Sequence, residues 1–427
     1  MSQNILQPNF QPNFPGNVLK LDSGLTLIHQ ELPNTNVVVA DVWVRAGASY
    51  EPESWNGMAH FLEHMIFKGS ENIAPGVFDF HVENRGGVSS AATSHDYAHF
   101  SLTTASQYLG ETLPYLGEIL LNPALSENEF IRERHVVLEE IRGCGDDPDW
   151  VGSQALNKII YQLHPYGRPI LGSKRLLMGY STDQMRCFHS AYYQPENMTV
   201  VIVGGLGREE ASNIVSRSFG NFPIRCLDVP FSPIPAQPTI AGIRRQEIKL
   251  PLLEQPRLIM GWTAPGVENL RVGYGLDILS VLLAEGRTSR LDRDLREERQ
   301  LVQTIYSSFS LQRSSSLFTI SAILEPENLE RVELLIRLHL EDLQKNGITE
   351  EELKRCQRVL CNDYAFGTET PSQLSGLYGY YQTIAHAELA VTYPQEIQSF
   401  NVKELQDIAQ SFLLPHSYAV TVLKSQP

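Results

Sequence analysis

The chain contains an internal duplication, which constrains its fold more than any other feature of the sequence. Residues 181–205 (STDQMRCFHSAYYQPENMTVVIVGG) align without a gap with residues 401–425 (NVKELQDIAQSFLLPHSYAVTVLKS). Each copy contains an amphipathic helical pattern, a proline that ends it and a β-rich run. Helix–turn–strand units also recur by chance in α+β proteins, but here the alignment holds through all three parts. Because Pro195 and Pro415 are 220 positions apart, each copy has about 200 residues, the size of one domain.

Spaced prolines mark the boundary between the two copies. They stand at Pro223, Pro230, Pro233, Pro235, Pro238 and Pro251. Such spacing favours an extended connector over a packed element. The sequence therefore predicts an N-terminal domain over residues 1–225, a proline-rich linker over 226–245 and a C-terminal domain of like fold over 246–427.

Hydrophobic periodicity places strands and helices in both copies. The predicted strands are residues 25–31, 37–45, 99–104, 199–203, 257–263 and 317–324. The predicted helices are residues 57–68, 75–85, 105–121, 126–142, 271–284 and 329–345. Strands open each half and return late in it, with helices between them. This order is typical of the α+β class, and we expect each domain to be a mostly antiparallel sheet covered by helices, not a doubly wound parallel sheet.

Charge and cysteine content exclude some partners and compartments. The net charge is −15 and no run rich in Lys and Arg occurs, so we expect neither a nucleic-acid nor a membrane partner. No apolar run is long enough to span a bilayer, and the first residues lack the basic and apolar regions of a secretion signal. The five cysteines form no Cys-x-x-Cys pair, which fits a reduced compartment better than a disulfide framework. We therefore expect a cytoplasmic protein.

The helix predicted over residues 57–68 carries three polar side chains on one face. It contains the pentad His60-Phe-Leu-Glu63-His64. At about 100° per residue, the three polar groups share a face about 100° wide, while the rest of the helix is apolar. Burying a carboxylate beside two imidazoles costs several kcal/mol unless something compensates. A divalent cation compensates directly, because neutral imidazole nitrogens are good zinc ligands.

The spacing of these three residues predicts a metal centre. His60 and His64 are candidate ligands, and Glu63 lies beside the metal, where it can take a proton from a water molecule whose pKa the ion lowers towards ~7. The alternative is a core helix whose histidines hydrogen-bond to neighbouring groups. A lone histidine would favour that alternative, whereas the complete pentad favours the metal.

A catalytic zinc site normally has three protein ligands, so we expect a third ligand from another helix. The helix predicted over residues 126–142 places Glu133, Val137 and Glu140 on one stripe. Glu139 lies about 100° away from Glu140 around the same helix. Spacing alone leaves the third ligand open, because Glu133 and Glu140 fit an exposed acidic stripe equally well.

The pentad His60-Phe-Leu-Glu63-His64 resembles the inverted zinc motif of the pitrilysin-type metallopeptidases, relatives of the mitochondrial processing peptidase. In that family the third ligand ends the pattern Glu-Arg-x-x-Val-Leu-x-Glu-Ile, and residues 133–141 (ERHVVLEEI) match it. The resemblance implies that His60, His64 and Glu140 bind Zn²⁺, one ion per chain. It also implies that Glu63 is the general base and that Glu133 is an accessory acid that supports the site.

The resemblance extends to segments that bind substrate. The segment similar to the family's strand that adds to a substrate backbone consists of Ser90, Ala91, Ala92 and Thr93. In the second half, Arg296 is similar to the family's arginine that orients the substrate. The tyrosine that the family carries seven residues later is replaced here by Gln303, and Tyr306 comes three residues too late.

The missing tyrosine predicts a partner chain. In chains of this length the family pairs two subunits to enclose a chamber, so we expect the zinc-bearing subunit of a heterodimer with a homologous chain that lacks the zinc motif. An active homodimer is the alternative assembly. The predicted function is a zinc-dependent endopeptidase that hydrolyses peptides or unfolded segments inside a dimeric chamber. The alternative function is a non-catalytic structural or peptide-binding subunit of the same fold.

Overall fold

The computed structural model describes residues 14–230, 234–235, 240–251 and 253–426. Its strands are β1 (Asn17–Lys20), β2 (Thr26–Glu31), β3 (Val37–Val44), β4 (Val88–Thr93), β5 (Ala98–Ala105), β6 (Met198–Gly204), β7 (Ile243–Leu250), β8 (Arg257–Pro265), β9 (Val302–Ser310), β10 (Ser315–Leu324) and β11 (Tyr418–Ser425). Its α-helices are α1 (Met58–Ile66), α2 (Val77–Glu83), α3 (Leu109–Leu121), α4 (Glu127–Gly145), α5 (Pro148–Tyr161), α6 (Lys174–Leu177), α7 (Thr182–Tyr192), α8 (Arg208–Ser218), α9 (Leu270–Ala284), α10 (Leu329–Asn346), α11 (Glu350–Phe366), α12 (Pro371–Ile384), α13 (Tyr393–Gln398) and α14 (Val402–Phe412).

The first sheet has six strands in the order β1-β2-β6-β3-β5-β4. Neighbouring strands run antiparallel except β2 and β6, which are parallel. β6 lies near the centre and is buried along its whole length, and its sequence is accordingly a nearly continuous apolar run. β4 lies at the edge, where alternate residues are exposed.

The second sheet has five strands in the order β7-β11-β8-β10-β9, with β7 and β11 as its parallel pair. The strand order repeats that of the first sheet without β1. Each strand of the second sheet corresponds to one in the first: β7 to β2, β11 to β6, β8 to β3, β10 to β5 and β9 to β4. The predicted α+β class, with two homologous and mostly antiparallel domains, is therefore confirmed. Part of the predicted linker, at residues 231–233 and 236–239, and residues 1–13 lie outside the described residues, so the exact domain limits stay a prediction.

Each sheet packs against helices of its own half. Helices α1, α3, α4, α7 and α8 add buried side chains to the core of the first sheet, among them Leu62, Leu116 and Phe188. Helices α9, α10, α11 and α14 do the same for the second sheet, among them Leu279 and Leu340. Burial of these apolar faces is the main source of stability in each half.

The two halves also exchange a helix. α5 of the first half packs against β7, β8 and β11 of the second sheet, and α12 of the second half packs against β3 and β6 of the first. The resulting apolar clusters contain Leu156 with Ile259, and Trp43 with Tyr378. α5 follows α4 in the first half as α12 follows α11 in the second, so the two exchanged helices occupy equivalent positions in the two copies. The exchange joins the two halves into one unit.

One predicted helix starts later than expected. The helix predicted over residues 105–121 begins at Leu109, because Ala105 is the last residue of β5 and Ser106–Tyr108 form a turn of 3₁₀ helix. No helix in the described part of the chain combines the length and the apolar character that crossing a bilayer requires.

The cysteines are not all reduced. Cys187 on α7 forms a disulfide with Cys226, while Cys144, Cys356 and Cys361 are free. The expectation that the thiols are reduced is therefore wrong for this pair, which ties residue 226 to the first domain. Two cysteines 39 positions apart leave no local pattern from which their contact could be predicted.

Candidate metal centre

α1 carries the pentad, and a buried carboxylate binds the backbone at the N-terminus of this helix. The helix begins after Gly57, whose φ of +99° favours glycine. Glu51, which is 1% exposed, accepts hydrogen bonds from the backbone N–H groups of Gly57 (2.9 Å) and Ala59 (2.7 Å). A carboxylate at this position satisfies free N–H groups and interacts favourably with the helix dipole. Sequence reasoning missed Glu51, because it lies seven positions before the helix and outside any capping pattern.

The remaining residues of α1 anchor it in the core. Met58, Ala59, Phe61, Leu62, Met65 and Ile66 are buried. Phe61 packs on Phe130 of α4, with their ring centroids 4.7 Å apart. The contact places the polar face of α1 opposite the acidic stripe of α4.

Three potential ligands converge between α1 and α4. Nε2 of His60 and Nε2 of His64 each lie 3.5 Å from Oε2 of Glu140, and one atom from each of these residues lies within 4.8 Å of the other two. Ligand atoms around a tetrahedral zinc with bonds of about 2.0–2.1 Å stand roughly 3.3 Å apart. The three side chains therefore fit a zinc ion.

The hydrogen-bonding state of these groups agrees with a cation site. Oε2 of Glu140 is buried, yet no group in the described residues hydrogen-bonds to it. The pKa of Glu140 lies below its ordinary value, chiefly because of His60 beside it, with a further contribution from His64. An ionised oxygen with two imidazole nitrogens turned towards it is the donor set of a metal centre.

Glu133 lies behind the ligands. Its Oε1 is 2.9 Å from Nδ1 of His64, and its Oε2 is 2.8 Å from Nζ of Lys68. A carboxylate in an ion pair with a lysine accepts hydrogen bonds, so Nδ1 of His64 is the hydrogen-bond donor and its Nε2 presents a lone pair towards Glu140. The structure thus places Glu140, and not Glu133, between the two imidazoles. Sequence reasoning did not identify Lys68, which follows the pentad by four residues.

Glu63 faces a different neighbour. Oγ1 of Thr93 donates a hydrogen bond of 2.5 Å to Oε2 of Glu63. Burial, together with the negative charge of Glu63, raises the pKa of Tyr193. Glu63 precedes the ligand candidate His64 on α1 but is not a member of the cluster that the three potential ligands form.

β4 presents a free edge next to Glu63. The N–H of Ser94 bonds to the carbonyl of Tyr97 across the hairpin. Because alternate residues of a strand direct their backbone groups to opposite sides, Ser90 and Ala92 pair with β5, whereas Ala91 and Thr93 direct theirs to the open edge. Ser89, which the sequence prediction did not include, also directs its backbone groups outwards.

Among the described residues, no hydrogen bond or ion pair connects the second half to His60, His64 or Glu140. The ion pairs of Arg296 are local, to Asp292 (3.1 Å) and Glu297 (2.7 Å) within a π-helical turn. Gln303 and Tyr306 lie on β9, the edge strand of the second sheet, and Tyr306 is 48% exposed. Of the predicted site residues, the structure thus brings together those of α1, α4 and β4.

Two family models match the chain. The model described as Insulinase (Peptidase family M16) matches residues 26–174, and the model described as Peptidase M16 inactive domain matches residues 180–360. The three potential ligands lie in the first match, and Arg296 and Gln303 lie in the second.

Curated relatives match over nearly the whole chain. Zinc protease PqqE of Helicobacter pylori is 28% identical over 409 residues, which is 95% of this chain and 91% of that protein. The uncharacterized zinc protease YmxG of Bacillus subtilis is 26% identical over 414 residues, 94% of this chain and 96% of that protein.

Solved structures share the fold. The crystal structure of a protease from Helicobacter pylori has a TM-score of 0.88 and 27% identity, and covers 96% of this chain and 99% of that one. Pitrilysin has a TM-score of 0.79 at 19% identity; the match covers 99% of this chain but 46% of pitrilysin. At that identity the second likeness concerns the fold alone.

Proposed function

The chain belongs to the M16 family of peptidases, and from this premise we propose that it is a zinc-dependent endopeptidase that hydrolyses peptides or unfolded segments. The observation that carries the proposal is the convergence of His60, His64 and Glu140 on one point. The names of the relatives, which are zinc proteases, support it.

His60, His64 and Glu140 hold the ion, one per chain, through two imidazole nitrogens and one carboxylate oxygen. A bound Zn²⁺ supplies Lewis acidity, which lowers the pKa of a water molecule and polarises the scissile carbonyl group. Glu133 and Lys68 keep the His64 ring in the orientation and tautomer that binding requires.

Glu63 is the proton carrier in this proposal. Its carboxylate lies beside the ligands without joining them, so it is free to accept a proton from the attacking water molecule. It then gives that proton to the leaving amine, since cleavage of a peptide bond needs a base in one step and an acid in the next.

The open edge of β4 binds the substrate backbone. A peptide that pairs with the backbone groups of Ala91 and Thr93 extends the sheet by one strand and passes next to Glu63. Main-chain pairing accepts many side chains, so we expect low sequence specificity. The side chains of Ser90 and Ala92 point to the other face of the sheet and add little to this pairing.

We further propose that the chain works in a dimeric chamber, most simply as the zinc-bearing subunit of a heterodimer with a homologous chain. Gln303 stands where the family's tyrosine is expected, and Arg296 is engaged by Asp292 and Glu297. The partner would supply the missing substrate clamp, and a homodimer is the alternative. A cytoplasmic location stays a prediction, and the disulfide of Cys187 and Cys226 counts against it, because cytosolic thiols are kept reduced.

The experiment that tests this function measures zinc per chain and turnover of a quenched peptide, each with and without a chelator. We expect about one zinc per chain and hydrolysis that the chelator abolishes. Glu63→Gln should lower turnover by about 10²–10⁴-fold while zinc stays near stoichiometric. Loss of zinc along with activity in this variant would instead make Glu63 a ligand.

A non-catalytic subunit is the second candidate, because the second half matches a model described as an inactive domain and lacks the tyrosine. Native mass measurement and turnover of the purified chain, alone and with homologous chains, separate the candidates. Zinc-loaded chain that never hydrolyses peptide in any assembly would favour the non-catalytic subunit. Full turnover by the chain alone would remove the heterodimer from the proposal.

A further inference from the structure

Thr93 connects the proposed proton carrier, Glu63, with the strand edge proposed to bind the substrate. Its hydroxyl donates a hydrogen bond of 2.5 Å to Oε2 of Glu63, and its backbone groups lie at the open edge of β4. We propose that Thr93 is a positioning residue that aligns the Glu63 carboxylate with a peptide bound on β4. This inference rests on the proposed function, since it needs Glu63 to act as the proton carrier.

The position of the hydroxyl is rigid because the backbone around it is held from both sides. Thr93 lies opposite Ala98 of β5 without a backbone hydrogen bond to it, between Ala92, whose backbone groups face β5, and Ser94. The next residue, Ser94, donates from its N–H to Tyr97 and accepts at its carbonyl from the N–H of Ala48. A threonine side chain is restricted at χ1, so a fixed backbone also fixes its hydroxyl.

The hydrogen bond orients one oxygen of Glu63 and leaves the other for chemistry. Thr93 engages Oε2, and none of the hydrogen bonds in the described residues engages Oε1. A carboxylate side chain otherwise rotates freely about its last torsion. With Oε2 held by Thr93, Oε1 is kept for the attacking water molecule.

The two contacts of Thr93 use different atoms, which makes them separable by mutation. The side chain points to the face of the sheet on which α1 packs, whereas the substrate meets only the backbone. Removing the hydroxyl therefore leaves the pairing edge intact. The expected loss falls on kcat, while KM, which depends on pairing with the edge, stays nearly constant.

The test compares Thr93→Val, which keeps the shape without the hydroxyl, with Thr93→Ser, which keeps the hydroxyl. Thr103→Val on β5 is the matched control, because Thr103 pairs with Val88 at the far end of the hairpin. We expect T93V to lower kcat on a quenched peptide by about 10- to 100-fold, as for loss of a hydrogen bond to a charged group. KM and zinc per chain should change less than about twofold, T93S should restore most of kcat, and T103V should match the wild type.

A structural readout accompanies the kinetics. Crystal structures should show one orientation of the Glu63 carboxylate in the wild type and a displaced or multiple orientation in T93V. An unchanged kcat in T93V would overturn the inference. So would a result in which T93V and T93S are impaired to the same extent, with lower kcat, higher KM and lower thermal stability. Either result would leave the proposed function in place. Absence of zinc-dependent hydrolysis in the wild type and T103V would end both.

Discussion

Gly379 of α12 lies directly against Trp43 of β3: a Cβ atom at position 379 would stand 2.0 Å from the indole Nε1. This approach lets a helix of the second half settle onto the first sheet. Two hydrogen bonds flank the contact, from Ser375 Oγ to Asp41 Oδ2 (2.6 Å) and from the Tyr378 hydroxyl to Gln30 Oε1 (2.7 Å). The exchanged helix is therefore held both by close packing and by two polar contacts, one buried and one partly buried.

Gly379→Ala should weaken the joint between the two halves. Trp43 is 4% exposed, so it cannot move away without disturbing the sheet. We expect the free energy of unfolding to fall by about 1–3 kcal/mol or more, as for other overpacked cores. The measurement is urea or thermal unfolding.

Gly376→Ala is the matched control, because it lies on the same helix and a Cβ there meets nothing within 4 Å. Alanine is the better helix former, so this variant should gain up to about 1 kcal/mol. Equal stability of the two variants would show that the contact with Trp43 does not hold α12.

Glu51 should make stability depend on pH. Burial raises its pKa from 4.5 to about 7, despite the hydrogen bonds from Ala59, Gly57 and Asn56 that oppose the shift. Between these two values the folded protein binds more protons than the unfolded chain, so the contribution of Glu51 to stability falls as pH rises through this window. Above about pH 7 the ionised, buried carboxylate of Glu51 lowers the free energy of unfolding by its full amount, on the order of 3 kcal/mol.

The measurement is the difference in free energy of unfolding between the wild type and Glu51→Gln at pH 5 and at pH 8. A difference is needed because burial lowers the pKa of His164 and of His189 to about 4. These buried histidines make stability rise with pH between about 4 and 6.5, opposite to Glu51. We expect the wild type to lose stability relative to the variant as pH rises, and a constant difference would mean that Glu51 titrates normally.

The elements with a strong apolar period were predictable from sequence. The strand predicted over residues 37–45 is β3, and the helix predicted over 271–284 is α9. β7 was not predicted, because its sequence IRRQEIKL has four charged residues and only three apolar ones, which an edge strand tolerates but hydrophobic periodicity does not detect. The exchange of α5 and α12 could not be predicted either, because a local pattern shows that a helix has an apolar face but not which sheet covers it.

The site residues, too, comprise some that the sequence predicts and some that it does not. His60, Glu63 and His64 were predictable because their spacing is a local property of one helix. The choice between Glu133 and Glu140 depends on how α4 is rotated against α1, which spacing does not determine. Lys68 and the hydroxyl of Thr93 act through contacts between separate elements, and no local pattern marks such contacts.

Ala91→Pro should weaken substrate binding without unfolding the sheet. The N–H of Ala91 points to the open edge of β4, so proline removes one donor to the substrate and none to β5. We expect KM for a quenched peptide to rise about tenfold, as for loss of one hydrogen bond. Ser90→Ala is the control and should leave KM unchanged, because the Ser90 side chain lies on the other face of the sheet. A rise in KM for S90A alone would mean that side chains, and not the edge, bind the substrate.

Glu133→Gln should lower the affinity for zinc without removing a ligand. Gln keeps the size of the side chain but loses the charge that the hydrogen bond from His64 and the ion pair with Lys68 depend on. The imidazole is then free to adopt the wrong tautomer or orientation, and such supporting contacts are worth about 10- to 100-fold in metal affinity. Competition with a chromophoric chelator at fixed pH measures the dissociation constant.

Glu139→Gln is the control for the charge change on α4. Glu139 is 73% exposed, and its one ion pair within the described part of the chain is to Arg142, at 3.6 Å; such exposed pairs contribute little. E139Q should therefore bind zinc like the wild type, while E133Q binds it more weakly and retains one zinc per chain at saturation. Equal affinity of the two variants would remove Glu133 from the support of His64. Complete loss of zinc in E133Q would instead make Glu133 a direct ligand, because an orienting residue changes the affinity of a site but not the number of ions that it holds.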